Sequence, residues 1–266
     1  MTQEERLTAL EQRLEKTLAD LSKKIERVQS YTEAFNATTR YSYRHAGNKH
    51  LWSMASYAMN TPTVRAEIGP MGLCDGIDAV HKLYAVGHQG DNEESARDES
   101  FTDGMGLFMA EHPLCTPIIE VAEDCETAKG VFISNGAEGS GTDEKGHRGF
   151  WIWMTPACEF CKEEGVWKVW HNHGMSTFIS AWDHEWSDGA PKMMAPPEPE
   201  DGEDAPPPDK GMPVADYAGP TTFFQEYRAW EQMKPWPQPP EPYSTYEGTQ
   251  PVVGAPPVGY DVDIDG

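Results

Sequence analysis

Apolar residues keep one period in the first part of this chain and another in the middle. That switch restricts the fold more than any other feature. Leu7, Leu10, Leu14, Leu18, Leu21, Ile25 and Val28 recur at steps of three and four between charged residues. This is one apolar stripe on a helix of 3.6 residues per turn, predicted over residues 3–30. The heptad register slips between Leu10 and Leu18, so packing on the chain's own domain or on a neighbouring subunit is favoured over a coiled coil. A second helix is predicted over 31–60, ended by Asn60-Thr61-Pro62, because Pro disfavours helix at the residue before it. Val64 to Ile68 alternates as a short strand does, and Gly69-Pro70-Met71-Gly72 reads as a turn. Asp75 is the expected N-cap of a third helix carrying Ile77, Val80 and Tyr84 on one face.

From residue 112 the period shortens to two. Strands are predicted at Thr116–Ala122, Ala128–Asn135, Phe150–Cys161 and Val166–Phe178. A turn at Glu123-Asp124, a Gly-rich loop from Gly136 to Gly146 and a turn at 162–165 join them. Helices followed by an antiparallel meander indicate an α+β fold.

Charge and proline are unevenly spread. The chain carries 21 basic and 44 acidic residues, a net of −23 over 266 residues. Such an excess argues against nucleic acid or an anionic membrane as partner, since both need a basic face. Residues 191–266 hold 17 of the 22 prolines, with 14 acids against 4 bases. Asp91 to Asp103 adds six acids and one Arg, and residues 89–104 read as a solvated acidic loop. The expected division is an N-terminal amphipathic helix at 1–30, an α+β domain at 31–190 and an acidic Pro-rich extension at 191–266. Within the extension, 190–212 reads as a linker. The segment 213–247 is rich in aromatics and is expected to lie extended on a folded surface, its own or a neighbour's.

The start, Met-Thr-Gln-Glu-Glu-Arg, lacks the pattern of an export signal, and no apolar run is long enough to span a membrane. Five cysteines, an odd and sparse set, suit reduced thiols and a cytoplasmic setting. Cys158-Glu159-Phe160-Cys161 has CxxC spacing, but a zinc site needs two further ligands and a strand places residues three apart on opposite faces. No metal is expected. The Gly-rich segment from Gly136 joins two strands, not a strand to a helix, so it is a hairpin loop and not a phosphate cradle.

The histidines carry the chemistry. Uniform alternation along Val166–Phe178 places Trp167, Val169, His171 and His173 together, facing the helices. Tyr41, His45, Asn48 and Trp52 share one face of the second helix, with Tyr43 and His50 beside it. His112 stands just before the first long strand. Imidazoles with ordinary pKa values near neutrality can accept and return protons. Satisfied core histidines and an ordinary polar–aromatic packing face are the plainer alternatives.

Together these stretches resemble the SnoaL-like branch of the nuclear-transport-factor-two-like superfamily, of scytalone dehydratase and bile-acid dehydratase type. The resemblance rests on Arg40-Tyr41-Ser42-Tyr43-Arg44-His45-Ala46-Gly47, on Met71-Gly72-Leu73-Cys74-Asp75-Gly76, on His112 followed by Pro117-Ile118-Ile119-Glu120-Val121, and on Gly165-Val166-Trp167-Lys168-Val169-Trp170-His171. It covers roughly residues 20–190 in the family's order. It implies a cone-shaped curved antiparallel sheet closed by helices around a cavity, acid–base catalysis without a cofactor, and dimers or trimers. His45 stands where many relatives have Asp. The second dehydratase His falls near Phe132, so His171 and His173 are the expected substitutes.

The resulting expectation is a cofactor-independent lyase acting on a hydroxylated aromatic or polycyclic small molecule. It would lose water, or a small aldehyde by a retro-aldol step. His45 or His112 would remove a proton, and His173 or Tyr43 would protonate the departing oxygen. Tyr41, Asn48, Phe132, Trp151, Trp153, Trp167 and His171 would bind the substrate. An isomerase or cyclase in the same cavity, and a noncatalytic binding or oligomerisation module, are the alternatives.

Overall fold

The helical period at the start of the chain continues without a break far past residue 30. In the computed structural model the first helix, α1, spans Gln3–Ala46, 44 residues. The structure describes residues 1–47, 50–68, 72–86, 109–142, 146–188, 222, 225–234 and 236–247. Asn48, the turn at 69–71, the acidic loop 89–104 and the linker 190–212 therefore lie outside the described residues. The start of α1 is a capping box: the Thr2 side chain accepts from the Glu5 backbone N–H, and the Thr2 N–H donates to Glu5 Oε2 at 2.7 Å. Gly47 ends it, after Arg44 and His45 in a last turn whose free carbonyls favour positive charge.

The predicted second helix is thus the far half of α1 plus a short α2, His50–Ser53, and one 3-10 turn, Met54–Ser56. Strand β1 is Arg65–Ile68 and β2 is Leu73–Asp75. Helix α3, Ile77–His81, is capped by Gly76 and not by Asp75, whose carboxylate instead accepts from Arg65 Nε at 2.7 Å. A π-helical turn, Lys82–Val86, continues α3.

The remaining strands are β3 Met109–Glu111, β4 Cys115–Val121, β5 Thr127–Thr142, β6 Gly146–Met154, β7 Ala157–Glu163, β8 Val166–Gly174 and β9 Ser176–Ala181. Three differences from expectation stand out. The Gly-rich segment after Asn135 is not a loop: β5 runs through it to Thr142 and pairs with β6 up to Gly146. The predicted strand 150–161 breaks at Thr155-Pro156, and the predicted strand 166–178 breaks at Met175. At these breaks the Phe132 N–H donates to the Pro156 carbonyl and the Thr155 N–H to the Met175 carbonyl. Finally, the sheet is not wholly antiparallel, because β1 lies parallel to β8.

The described strands form one sheet in the order β2-β1-β8-β7-β5-β6-β9, with β3 and β4 also on β5. The long β5 pairs with β4 and β7 in its first half and with β3 and β6 in its second. One strand shared by two sets of partners makes the sheet curl into a half-barrel. Register irregularities in β4, β8 and β9 sharpen the bend. The β7–β8 hairpin closes on Glu164 and Gly165, both with positive φ (53° and 78°), as a two-residue turn of the hand that matches strand twist.

The second half of α1 packs on the inner face. Ala34 and Ala37 are buried there, in one core with Ala128, Phe132, Cys158, Phe160, Trp167 and Val169. Small residues on the helix let its axis approach the sheet. Residues 1–26 of the chain are all exposed, and only at the end of this stretch does Glu26 reach the sheet, where Lys162 Nζ of β7 donates to its Oε1 at 3.2 Å. Among the described residues, the apolar stripe from Leu7 to Val28 therefore meets no part of the chain's own domain.

Candidate active site

The inner face of the half-barrel and the end of α1 bring three imidazoles together. His45 sits in the last turn of α1 and is 7% exposed; His50 opens α2 and is fully buried. Their Nδ1 atoms are 3.2 Å apart. One ring must donate and the other accept, so the pair cannot hold a proton on both facing nitrogens. The ring of His112, directly after β3, stacks on His45 at 5.2 Å between centroids. His112 Nε2 lies 2.9 Å from Glu138 Oε1 on β5.

Backbone geometry seats His112 closely. The Ser42 hydroxyl of α1 donates to the His112 carbonyl at 2.7 Å. Gly136 faces the ring: a Cβ there would lie 2.2 Å from the Glu111 carbonyl oxygen and 2.9 Å from His112 Nδ1. Only glycine permits that approach. Nδ1 has no hydrogen-bond partner among the described residues, whereas Nε2 has the carboxylate. A carboxylate acceptor favours the proton on Nε2 and orients the ring.

Phenols continue the site on the other side. Tyr41 stacks on His45 at 5.5 Å and meets Tyr57 and Tyr84 edge-on, each at 5.4 Å. Asn172 Nδ2 of β8 donates to the Tyr57 and Tyr84 hydroxyls at 2.8 and 3.0 Å, and its Oδ1 accepts from the Cys158 thiol at 3.4 Å. Burial raises the pKa of all three tyrosines, Tyr41 and Tyr57 well above the ordinary value. Burial also pushes the Cys158 thiol up to about 12. These groups are neutral donors at physiological pH.

The expected partners His171 and His173 are elsewhere. Glu159 of β7 pairs with His171 and Phe160 pairs with Val169, so Trp170 is an extra residue in β8. A bulge of one residue inverts the alternation beyond it. Trp167 and Val169 stay in the core, Asn172 takes the inward position, and both histidines turn to the outer face. There His171 Nδ1 meets Glu159 Oε2 at 2.5 Å and its Nε2 meets the Thr63 carbonyl at 3.0 Å. His173 Nε2 lies 3.0 Å from Glu67 Oε2, which also accepts from the Thr222 hydroxyl at 3.0 Å. Tyr246 donates to Glu159 at 2.8 Å, and Lys129 lies over the Tyr243 and Tyr246 rings. These outer histidines are held by carboxylates and covered by the C-terminal segment.

The other predicted site residues divide likewise. Phe132 is buried and stacks on Phe35, and Trp167 is buried in the core. Trp151 and Trp153 belong to an aromatic row with Phe178, Trp186 and Tyr227, away from the imidazoles. Tyr43 points to solvent, 84% exposed. Four acids and bases were missed: Glu138, His50 as a partner of His45, Glu67 and Glu159. Glu67 and Glu159 have a legible signal, an acid flanked on both sides by apolar residues within a strand, Ala66 and Ile68 in one case and Cys158 and Phe160 in the other. Glu138 fell in the segment read as a loop.

Cys158 and Cys161 are both free thiols. Among the described residues no group of three or more His, Cys, Asp or Glu could hold a metal ion. No described helix is long and apolar enough to cross a membrane.

No protein-family model and no curated protein matches the chain. Solved structures similar to it include a type 2 hexachlorocyclohexane dehydrochlorinase, at 12% identity over 65% of this chain and 98% of that one, with a TM-score of 0.44. A type 3 enzyme of the same name from Novosphingobium barchaimii is 11% identical over 61% of this chain and 96% of its own, with a TM-score of 0.43. An NTF2-like protein with a cystatin-like fold from Novosphingobium aromaticivorans is 13% identical over 60% and 89%, with a TM-score of 0.40.

Proposed function

We propose that the chain is a cofactor-independent lyase that acts on a hydroxylated aromatic or polycyclic small molecule at the Tyr41–His45–His50–His112 cluster. The carrying observation is the line of contacts from Glu138 through His112 and His45 to His50. Imidazoles that share a proton across a hydrogen bond, as His45 and His50 do, can take a proton from carbon or from a hydroxyl and return it elsewhere. Glu138 fixes the orientation of His112. The His45–His50 pair accepts the proton, because only one of its two facing nitrogens can carry one. Tyr41, a neutral phenol against His45, replaces Tyr43 and His173 as donor to the departing oxygen.

In a dehydration the base takes a C–H proton, the C–O bond breaks, and the oxygen leaves as water with the proton supplied by the acid. In the retro-aldol variant the base takes the hydroxyl proton, the C–C bond breaks, a small aldehyde leaves and the remaining carbanion is protonated. Both use the same two roles, each contributing roughly 10²–10⁴-fold. Glu138 also favours a second reading, an isomerase with a carboxylate near the reacting carbon, which leaves product mass equal to substrate mass.

The test is a screen of hydroxylated aromatic compounds for new ultraviolet-absorbing alkenes and for released aldehyde. His45→Ala and His112→Ala should each abolish the turnover found and leave the fold intact by circular dichroism. Wild-type turnover in both variants sinks the reading.

A further inference from the structure

The seven apolar residues from Leu7 to Val28 are 49–69% exposed, although they form the most regular apolar pattern in the chain. Their position on the helix explains why. At about 100° per residue, the stripe is centred roughly 170° round α1 from the face of Ala34, Ala37, Tyr41 and His45 that packs on the sheet. The exposed part, residues 3–26, reaches about 36 Å along the axis at 1.5 Å per residue. No straight continuation of α1 can bring the stripe onto its own sheet.

We propose that a second copy of this chain covers the stripe, the two helices pairing in parallel from Leu7 to Val28. Three observations select this occupant. The six steps from Leu7 to Val28 average 3.5 residues, the period that keeps a seam between two supercoiled helices, and the local slip is a four-residue insertion of the kind such seams absorb. Residues 3–28 carry six acids and six bases, a neutral stretch in a chain of net −23, so copies meet here without the repulsion they would feel elsewhere. The charges are also sorted. Glu4, Glu11 and Glu15 flank the stripe on one side, and Arg6, Arg13 and Lys24 on the other.

That sorting sets the orientation. In a parallel pair the acidic flank of one helix faces the basic flank of the other, and Arg6 comes opposite Glu11 of the partner copy. In an antiparallel pair acidic would face acidic and basic would face basic. Seven side chains of this exposure offer on the order of 100 Å² each. The resulting area, about 700 Å² per copy, is close to that of a standard stable interface. Because each domain sits on the far side of its own helix from the seam, the two domains do not collide.

Light scattering on the full chain at 5–50 µM tests the proposal. The wild type should have twice the 29.7 kDa chain mass. Leu14→Lys with Leu21→Lys should halve the mass while circular dichroism and melting of the domain stay unchanged, since both positions are exposed. Orientation is read from Leu10→Cys in a Cys115→Ser background: a parallel pair oxidises to a covalent dimer, an antiparallel one does not. A wild-type monomer throughout this range overturns the proposal, whether the stripe then binds phosphatidylcholine vesicles or the chain's own C-terminal segment. A dimer that survives the double Lys variant overturns it as well, by placing the interface elsewhere.

Discussion

Glu138 and His112 meet at 2.9 Å with the whole of β4 between them in the chain, one in the second half of β5 and the other just past β3. The β3–β5 pairing, with Glu111 opposite Ala137, makes the meeting possible. The contact joins the only inner carboxylate of the described imidazole cluster to the ring stacked on His45.

Replacing that carboxylate separates positioning from packing. Glu138→Gln keeps the shape and an acceptor but removes the charge that orients Nε2–H. The expected result is a roughly 10–100-fold fall in kcat with little change in melting temperature, as for loss of an orienting partner. Unchanged kcat would remove Glu138 from the proposed chemistry.

Gly136→Ala tests the close approach behind His112. A methyl group would lie 2.2 Å from a backbone oxygen, so the strand and the ring must move. Overpacking of this kind costs about 1–3 kcal/mol, and displacement of His112 should remove turnover as well. Thermal melting and turnover should fall together.

Asn172→Ala removes one amide that serves two phenols and a thiol. Leaving buried hydroxyls without their donor costs about 1–3 kcal/mol. Denaturant titration should show a lower midpoint with an unchanged slope. An equal midpoint would mean that the amide contributes nothing net.

Thiol reactivity should be singular. Cys115 is exposed, while Cys74, Cys125 and Cys158 are buried and burial pushes Cys158 and Cys161 up to about 12. At pH 8 a thiol of that pKa is about 10⁻⁴ ionised, and the thiolate is the reactive form. Ellman's reagent should titrate one thiol promptly in the folded chain and five after denaturation. Prompt reaction of two or more contradicts the described burial.

The buried tyrosines predict alkaline loss of stability. Tyr41, Tyr57 and Tyr84 have folded pKa values above the ordinary value of 10.0. Below about pH 10 both folded and unfolded chains hold these protons and the contribution is complete. Above it the unfolded chain ionises first, so stability falls as pH rises towards the folded values. Melting followed by circular dichroism and by phenolate absorbance should show the two signals rising together. Full phenolate absorbance in a still folded chain would refute it.

The sequence displays the α+β order well because period alone separates helix from strand. Val64–Ile68, Thr116–Ala122 and the turn at 162–165 are legible for that reason. The sides of β8 are not. One extra residue, Trp170, is invisible to an alternation rule, yet it sends His171 and His173 outward and brings Asn172 in. The length of β5 is equally hidden, because Gly136, Gly139 and Gly141 suggest a loop until neighbouring strands supply the pairing. His45 and His112 are legible as candidates by residue type. Their contact needs the end of α1 to lie against β3 and β3 to pair with β5, which no local pattern encodes.

Residues 243–246 also limit what else the sheet can do. The Glu123 and Asp124 backbone N–H groups donate to the Tyr243 and Ser244 carbonyls, and Tyr246 reaches Glu159. A visitor to the outer face would have to evict this resident segment first, and would meet a buried Lys129–Glu159–His171 set that needs the tyrosines as cover. The chain carries its own competitor for that surface.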